Sequence, residues 1–170
     1  MEKKNHFWIK VIPSTIASLL FILQIIVGIY LLSEVEQIEL LAYIGVGIYI
    51  FSGLIFGMLP IFEFRKKGEV KEGKSYIHTT KLVDTGIYSI VRHPQYITYM
   101  LWAIAGMLLF QHWIIICLGI PVIPLMYVDL IHADKEGIKK FGDDYKRYMK
   151  KVPRANFLLG VIRVLLRKGI

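Results

Sequence analysis

The chain reads as an all-α integral membrane protein with four transmembrane helices, the third and fourth forming a tight hairpin, followed by a cytoplasmic helical C-terminal tail. Three observations lead there. Of its 170 residues, 55% are hydrophobic and the mean hydropathy is +0.53, too apolar for an ordinary soluble domain. The apolar residues are blocked into long runs, most of them close to the roughly 20 residues a helix needs to cross the hydrocarbon. All 21 Lys and Arg residues fall on one side of a four-span arrangement, and the positive-inside rule makes that side cytoplasmic.

The spans follow in order. The first runs about 11–32, roughly 33 Å at helical rise, and reads as a retained span because its apolar core is longer than that of a signal peptide. The acidic connection Ser33–Glu39 follows. The second, about 40–62, is glycine-rich, and Gly53 with Gly57 form a small-xxx-small pair suited to close helix packing. Residues 63–93 form a polar, glycine-broken, basic linker. The third span, 94–110, is short, and Gln111-His112 leaves room only for a tight turn into the fourth, 113–131, where Pro121 and Pro124 should kink or break the helix. In the tail, 132–170, Gly142 precedes a helix start at Asp143-Asp144. Tyr145, Tyr148, Met149 and Val152 then share one face, and Pro153 ends the helix. The apolar stretch 157–166 is too short to span and is expected on the membrane surface or against the bundle. The whole, 1–170, reads as a single membrane domain.

Composition also excludes several functions. The net charge of +8 is explained by basic residues flanking spans, so nucleic acid is not the expected partner. A single cysteine, Cys117, rules out an intramolecular disulfide or a cysteine metal cluster. No metal-ligand set, Ser/His/Asp set or phosphate-cradling glycine loop is present. The expected setting is a multi-pass protein with both termini cytoplasmic, in a cell membrane or, in a eukaryote, the endoplasmic reticulum. The oligomeric state stays open.

The stretch Lys81–Tyr99 carries the chemistry. It is polar at its start and apolar at its end, so Arg92, His93 and Tyr96 stand where a water-facing loop becomes a membrane helix. Pro94 suits the first helical position, because its missing N–H would have had no partner there. The free N–H groups of the turn Gln95, Tyr96 and Ile97 then suit an anion, with Arg92 adding charge. A simpler reading makes Arg92 and His93 headgroup anchors for the helix.

Gly86-Ile87-Tyr88, Val91-Arg92-His93-Pro94-Gln95-Tyr96, and Phe141-Gly142-Asp143-Asp144-Tyr145-Lys146-Arg147-Tyr148 with Val152-Pro153 resemble the isoprenylcysteine carboxyl methyltransferases and phospholipid N-methyltransferases of membranes. The resemblance covers roughly the second half of the chain. It implies an S-adenosyl-L-methionine pocket lined by Thr80, Lys81, Leu82, Val83, Tyr88, His93, Pro94, Gln95 and Tyr96. Arg92, His93 and Asp134 would be the catalytic residues, the acceptor would be lipophilic, and no metal is implied. Methyl transfer is mainly a matter of holding donor and nucleophile in line, which suits a site with few titratable groups.

One departure stands out. Where the family places two adjacent glutamates, this chain reads Ala133-Asp134. The stretch Tyr127–Ile131 lacks the arginine that serves the acceptor carboxylate in the isoprenylcysteine enzymes. Asp134 would then hold the donor's amino group or orient an acceptor amine. Two other readings stay open: an NADPH-dependent reductase of the sterol-reductase type, which resembles this family in its C-terminal half, and a non-enzymatic four-helix protein binding a lipid or partner, to which a retired enzyme would also belong.

Overall fold

The computed structural model describes residues 2–69 and 79–168, and among these every regular element is helical. The elements are α1 (Glu2–Tyr30), α2 (Glu39–Ser52), a π-helical segment Gly53–Met58, α3 (Leu59–Lys67), α4 (Pro94–Phe110), α5 (Trp113–Gly119), α6 (Val122–Lys151) and α7 (Phe157–Lys168). Short 3-10 turns occur at Leu32–Glu34 and Gly86–Ser89. Three stretches are long and apolar enough to cross a membrane, Val11–Tyr30, Glu39–Lys67 and Trp113–Lys151, and Pro94–Phe110 is a shorter apolar helix. The protein is thus an all-helical, multi-pass membrane protein.

Helix ends differ from hydropathy ends for a physical reason: hydropathy marks what the hydrocarbon accepts, whereas a helix continues through any residues that keep its ladder. So α1 starts at Glu2, ahead of the apolar run, and α2 continues through the π segment and α3 to Lys67. Gly53 and Gly57 lie within that π segment. As Pro121 requires, the fourth apolar run breaks between Gly119 and Val122. The helix that resumes does not stop near residue 131. It runs on to Lys151, interrupted only at Gly142. Residues 70–78 of the expected linker lie outside the described residues.

Contacts group the described chain into two compact units. One comprises the residues up to Ser52 together with Thr98–His132; the other comprises Gly53–Ile97 and the residues from Ala133 onward. In the first unit, α1 packs on α5, and α2 meets α4 at Gly45, where a Cβ would stand 2.8 Å from the Ala105 carbonyl oxygen. Trp102 lies between the rings of Tyr49 and Phe21, with centroids 4.7 and 5.9 Å away, and its Nε1 donates to the Tyr49 carbonyl. Several polar groups in the apolar helices are paired, as hydrocarbon demands. The Ser14 hydroxyl donates to the buried Asp129 carboxylate at 2.6 Å, Ser52 donates to the Ile48 carbonyl, and the Gln111 side chain exchanges two hydrogen bonds with the Ile38 backbone.

In the second unit, α7 buries its start. Phe157 meets Phe56 edge-on at 4.9 Å, and Gly160 lies against the Ile90 backbone so closely that no Cβ would fit. Its other face leaves Leu158, Ile162, Leu165 and Leu166 exposed, as expected of a helix too short to span.

Because Gly45 faces backbone that cannot move aside, Gly45→Leu is expected to destabilise the protein by about 1–3 kcal/mol, the usual cost of overpacking. Thermal unfolding in detergent checks this. An unchanged midpoint would show that α2 and α4 do not meet at that glycine.

Candidate active site

The site forms within the second unit, around Asp134. This residue sits on α6 and is 3% exposed. Both of its oxygens receive two donors. Oδ2 accepts from Arg92 Nη2 at 2.9 Å and Arg154 Nε at 2.7 Å; Oδ1 accepts from His93 Nε2 at 2.7 Å and the Tyr145 hydroxyl at 3.0 Å. A buried carboxylate is tolerated when it is paired and its lone pairs are filled. Arg92 is fixed further by Nη1 donating to the Met149 carbonyl and by its backbone N–H donating to the Pro153 carbonyl.

Local backbone chemistry brings these groups together. Pro94 is the first residue of α4, as its missing N–H predicts, so Arg92 and His93 stand just before the helix. Tyr145 lies eleven residues beyond Asp134, which on a straight helix would separate them by about 16 Å. The chain turns back at Gly142, whose φ of 58° and ψ of −128° belong to a region kept almost entirely for glycine. Gly137 completes the arrangement, because the Tyr145 ring occupies the space a Cβ would take there.

His93 is the titrating member. Burial lowers its pKa below the ordinary imidazole value, opposed by the hydrogen bond and charge of Asp134. As the neutral tautomer, its Nε2–H donates to the carboxylate.

Beside this cluster, Tyr145 and Tyr148 pack edge to face at 5.6 Å, with Val152 in the same core. The Tyr148 hydroxyl donates to the Tyr88 carbonyl at 2.6 Å, and Tyr88 stacks on Phe64 at 4.5 Å. Tyr148 also lines a cavity of about 1040 Å³, whose wall includes Thr80, Lys81, Leu82 and Phe141. Lys140 Nζ stands 5.1 Å from the Phe141 ring centroid, so this aromatic face already holds a cation.

The structure therefore divides the residues that the sequence singled out. Thr80, Lys81 and Leu82 line the cavity. Arg92, His93 and Asp134 form the buried cluster. Val83 and Tyr88 are buried core, Pro94 is buried at the helix start, and Gln95 and Tyr96 are half-buried, with the Tyr96 ring 6.0 Å from His93. Asp134 is saturated by protein donors instead of presenting a free carboxylate. Sequence reasoning placed Tyr145 and Tyr148 on an apolar face and in a block resembling the family without giving them a site role, and missed Arg154. The available signal was a tyrosine pair after a glycine, which adds hydroxyls to an apolar stripe. Arg154 had no such signal, because its role depends on where the chain goes after Pro153.

Residues 73–138 match the family model described as the isoprenylcysteine carboxyl methyltransferase (ICMT) family. In this segment the chain is ICMT-like. It is 31% identical over 98 residues to the protein-S-isoprenylcysteine O-methyltransferase of Schizosaccharomyces pombe, covering 52% of this chain and 42% of that protein. It is 26% identical over 98 residues to protein-S-isoprenylcysteine O-methyltransferase B of Arabidopsis thaliana, covering 52% of this chain and 50% of that protein. The chain thus spans half or less of the length of these relatives. No solved structure matches it. The ICMT-like segment holds Thr80–Tyr96 and Asp134, whereas Tyr145, Tyr148 and Arg154 lie beyond it.

Gly142→Ala forces a Cβ into a glycine-only conformation costing about 1–3 kcal/mol. It is expected to lower the unfolding midpoint and make the chain beyond residue 142 easier to cleave. Wild-type protease resistance in that variant would show that the turn is not needed. The His93 shift has a definite sign. A histidine whose folded pKa lies below its unfolded value of 6.5 contributes fully at higher pH, and that contribution is lost as pH falls through 6.5 and below. Unfolding midpoints from pH 8 to 5 should therefore drop at the acidic end, and the drop should shrink in His93→Gln. Identical profiles would mean that His93 does not titrate as described.

Proposed function

We propose that the protein transfers a methyl group from S-adenosyl-L-methionine to a lipophilic acceptor at the cytoplasmic face of its membrane. The supporting observation is the placement of the 1040 Å³ cavity against Tyr148, one ring away from the buried Arg92–His93–Asp134 cluster. Its size is at the upper end of the roughly 300–1,000 Å³ typical of small-molecule sites, and its wall carries groups of the kinds this donor needs. Acidic side chains and Lys81 fit an amino acid's two charges, Leu82 offers an edge for a base, Tyr148 offers a face for a sulfonium, and Phe141, which holds the Lys140 cation, adds apolar wall. Bound there, the donor would supply an electrophilic methyl.

The protein's share is binding, orientation and exclusion of water. Asp134, with every lone pair engaged, acts as a positioning residue that holds Arg92, Arg154 and His93. Two guanidiniums on one carboxylate leave the cluster net positive, which supports an anionic acceptor group despite the missing arginine in Tyr127–Ile131. The named relatives act on isoprenylcysteine, and a lipophilic carboxylate of that class is the first acceptor to test, ahead of an amine lipid. A second reading has one observation of its own: basic side chains outnumber acidic ones around the cavity, which would also suit the phosphates of NADPH.

Calorimetric titration of the purified protein with S-adenosylhomocysteine should show binding. Lys81→Ala or Phe141→Ala should weaken it about tenfold, the equivalent of one lost charged or aromatic contact. Binding of NADPH with none of S-adenosylhomocysteine would replace this reading by the reductase, and a folded protein indifferent to both would leave the non-enzymatic reading.

A further inference from the structure

Helix α7 presents different chemistry on different sides. Asn156 caps its start, with Oδ1 accepting from the Leu159 N–H at 2.9 Å, and it packs into the second unit through Phe157 on Phe56 and Gly160 on the Ile90 backbone. A second face is aliphatic, and its Leu158, Ile162, Leu165 and Leu166 are each more than half exposed. Successive turns along the edge of that face carry Arg163 and Arg167, and Phe157–Lys168 contains no acidic residue. Arg163 makes no hydrogen bond or ion pair with another described residue. Arg167 donates to the Lys151 carbonyl, and its guanidinium carries further donors.

We propose that α7 is a docking surface for an anionic lipid leaflet, its aliphatic face among acyl chains and Arg163 and Arg167 on headgroup phosphates. Position favours lipid as the occupant. Phe56, against which α7 starts, belongs to the apolar stretch Glu39–Lys67 and stands roughly 13 Å along it from the basic end Arg65-Lys66-Lys67. Basic residues beside a span mark the headgroup level, so α7 begins on the hydrocarbon side of that level. Composition agrees. Leu and Ile fill the exposed face with no aromatic ring, whereas protein interfaces favour Tyr, Trp and Phe. A second copy would bring the same helix, with arginines and no acid to meet them. An apolar face edged by arginine is the pattern of a helix lying in a membrane interface, and each basic residue there adds to the attraction of an anionic surface. Arg167 also lines the 1040 Å³ cavity, so docking holds one wall of that cavity at the leaflet surface. The proposal does not depend on the methyltransferase reading.

The test uses the full chain in nanodiscs of phosphatidylcholine and of an equimolar mixture with phosphatidylglycerol, hydrogen exchange over α7 being read by mass spectrometry. Exchange is expected to be about 5-fold slower per arginine in the anionic discs, the worth of one basic residue at such a surface. High salt should shrink the difference. Arg163→Gln should remove about 5-fold of it, and the fold should survive because no described partner is lost. A spin label at Leu165→Cys, with the free Cys117 changed to Ser, should meet oxygen dissolved among acyl chains more than a water-soluble nickel chelate. Equal exchange in the two discs or an undiminished lipid preference in Arg163→Gln would overturn the proposal. So would a label more open to the chelate than to oxygen, or one shielded from both, as under a second copy.

Discussion

The second unit depends on a single buried carboxylate. Asp134 carries four donors drawn from the loop before α4, from the far side of the Gly142 turn and from the chain after Pro153. Removing one partner of such a pair costs about 3–5 kcal/mol, because the remaining charge is left buried and uncompensated. Arg92, 6% exposed at its side chain, is that remaining charge. Features that look unrelated along the chain serve the same carboxylate: a glycine that lets α6 turn back, a second that admits a tyrosine ring, and a proline whose neighbours bring Arg92 and Arg154 alongside.

The first unit obeys a different constraint. In hydrocarbon no water is available to satisfy a polar group, so each one must find a partner within the protein. Ser14 with Asp129, and Gln111 with the Ile38 backbone, meet that demand in full. Gln24 meets it for its nitrogen and leaves its oxygen open. The glycines at 45, 106 and 119 are explained by the same demand and by close helix approach, because each removes a side chain where backbone or amide must come near.

The match to the family model of the isoprenylcysteine carboxyl methyltransferases ends at residue 138. Beyond it lie the tyrosines and the arginine that close the cluster, so the matched segment supplies the cavity's loop, the carboxylate and the donors Arg92 and His93, while the C-terminal chain supplies the other two donors, Tyr145 and Arg154. This division bears on function. A methyl-transfer site needs water excluded and groups held still more than it needs acid–base residues, and ordering of that kind comes from packing around the reacting groups as much as from the groups themselves.

The sequence by itself determined the class of protein, the all-helical architecture, the helix start at Pro94, the break at Pro121 and the apolar stripe of Tyr145, Tyr148 and Val152. Each follows from hydropathy runs, from proline's missing N–H or from a 3.6-residue period, all of which act over a few residues and are written locally. Only the tertiary structure decided that helix α6 continues to Lys151, that Gly142 folds Tyr145 back onto Asp134, that Arg154 joins them and that Thr80, Lys81 and Leu82 face a cavity while Val83 and Tyr88 do not. These depend on which distant groups meet. A glycine permits a turn without naming its direction, and a charged residue is written the same way whether its partner is water or a buried carboxylate.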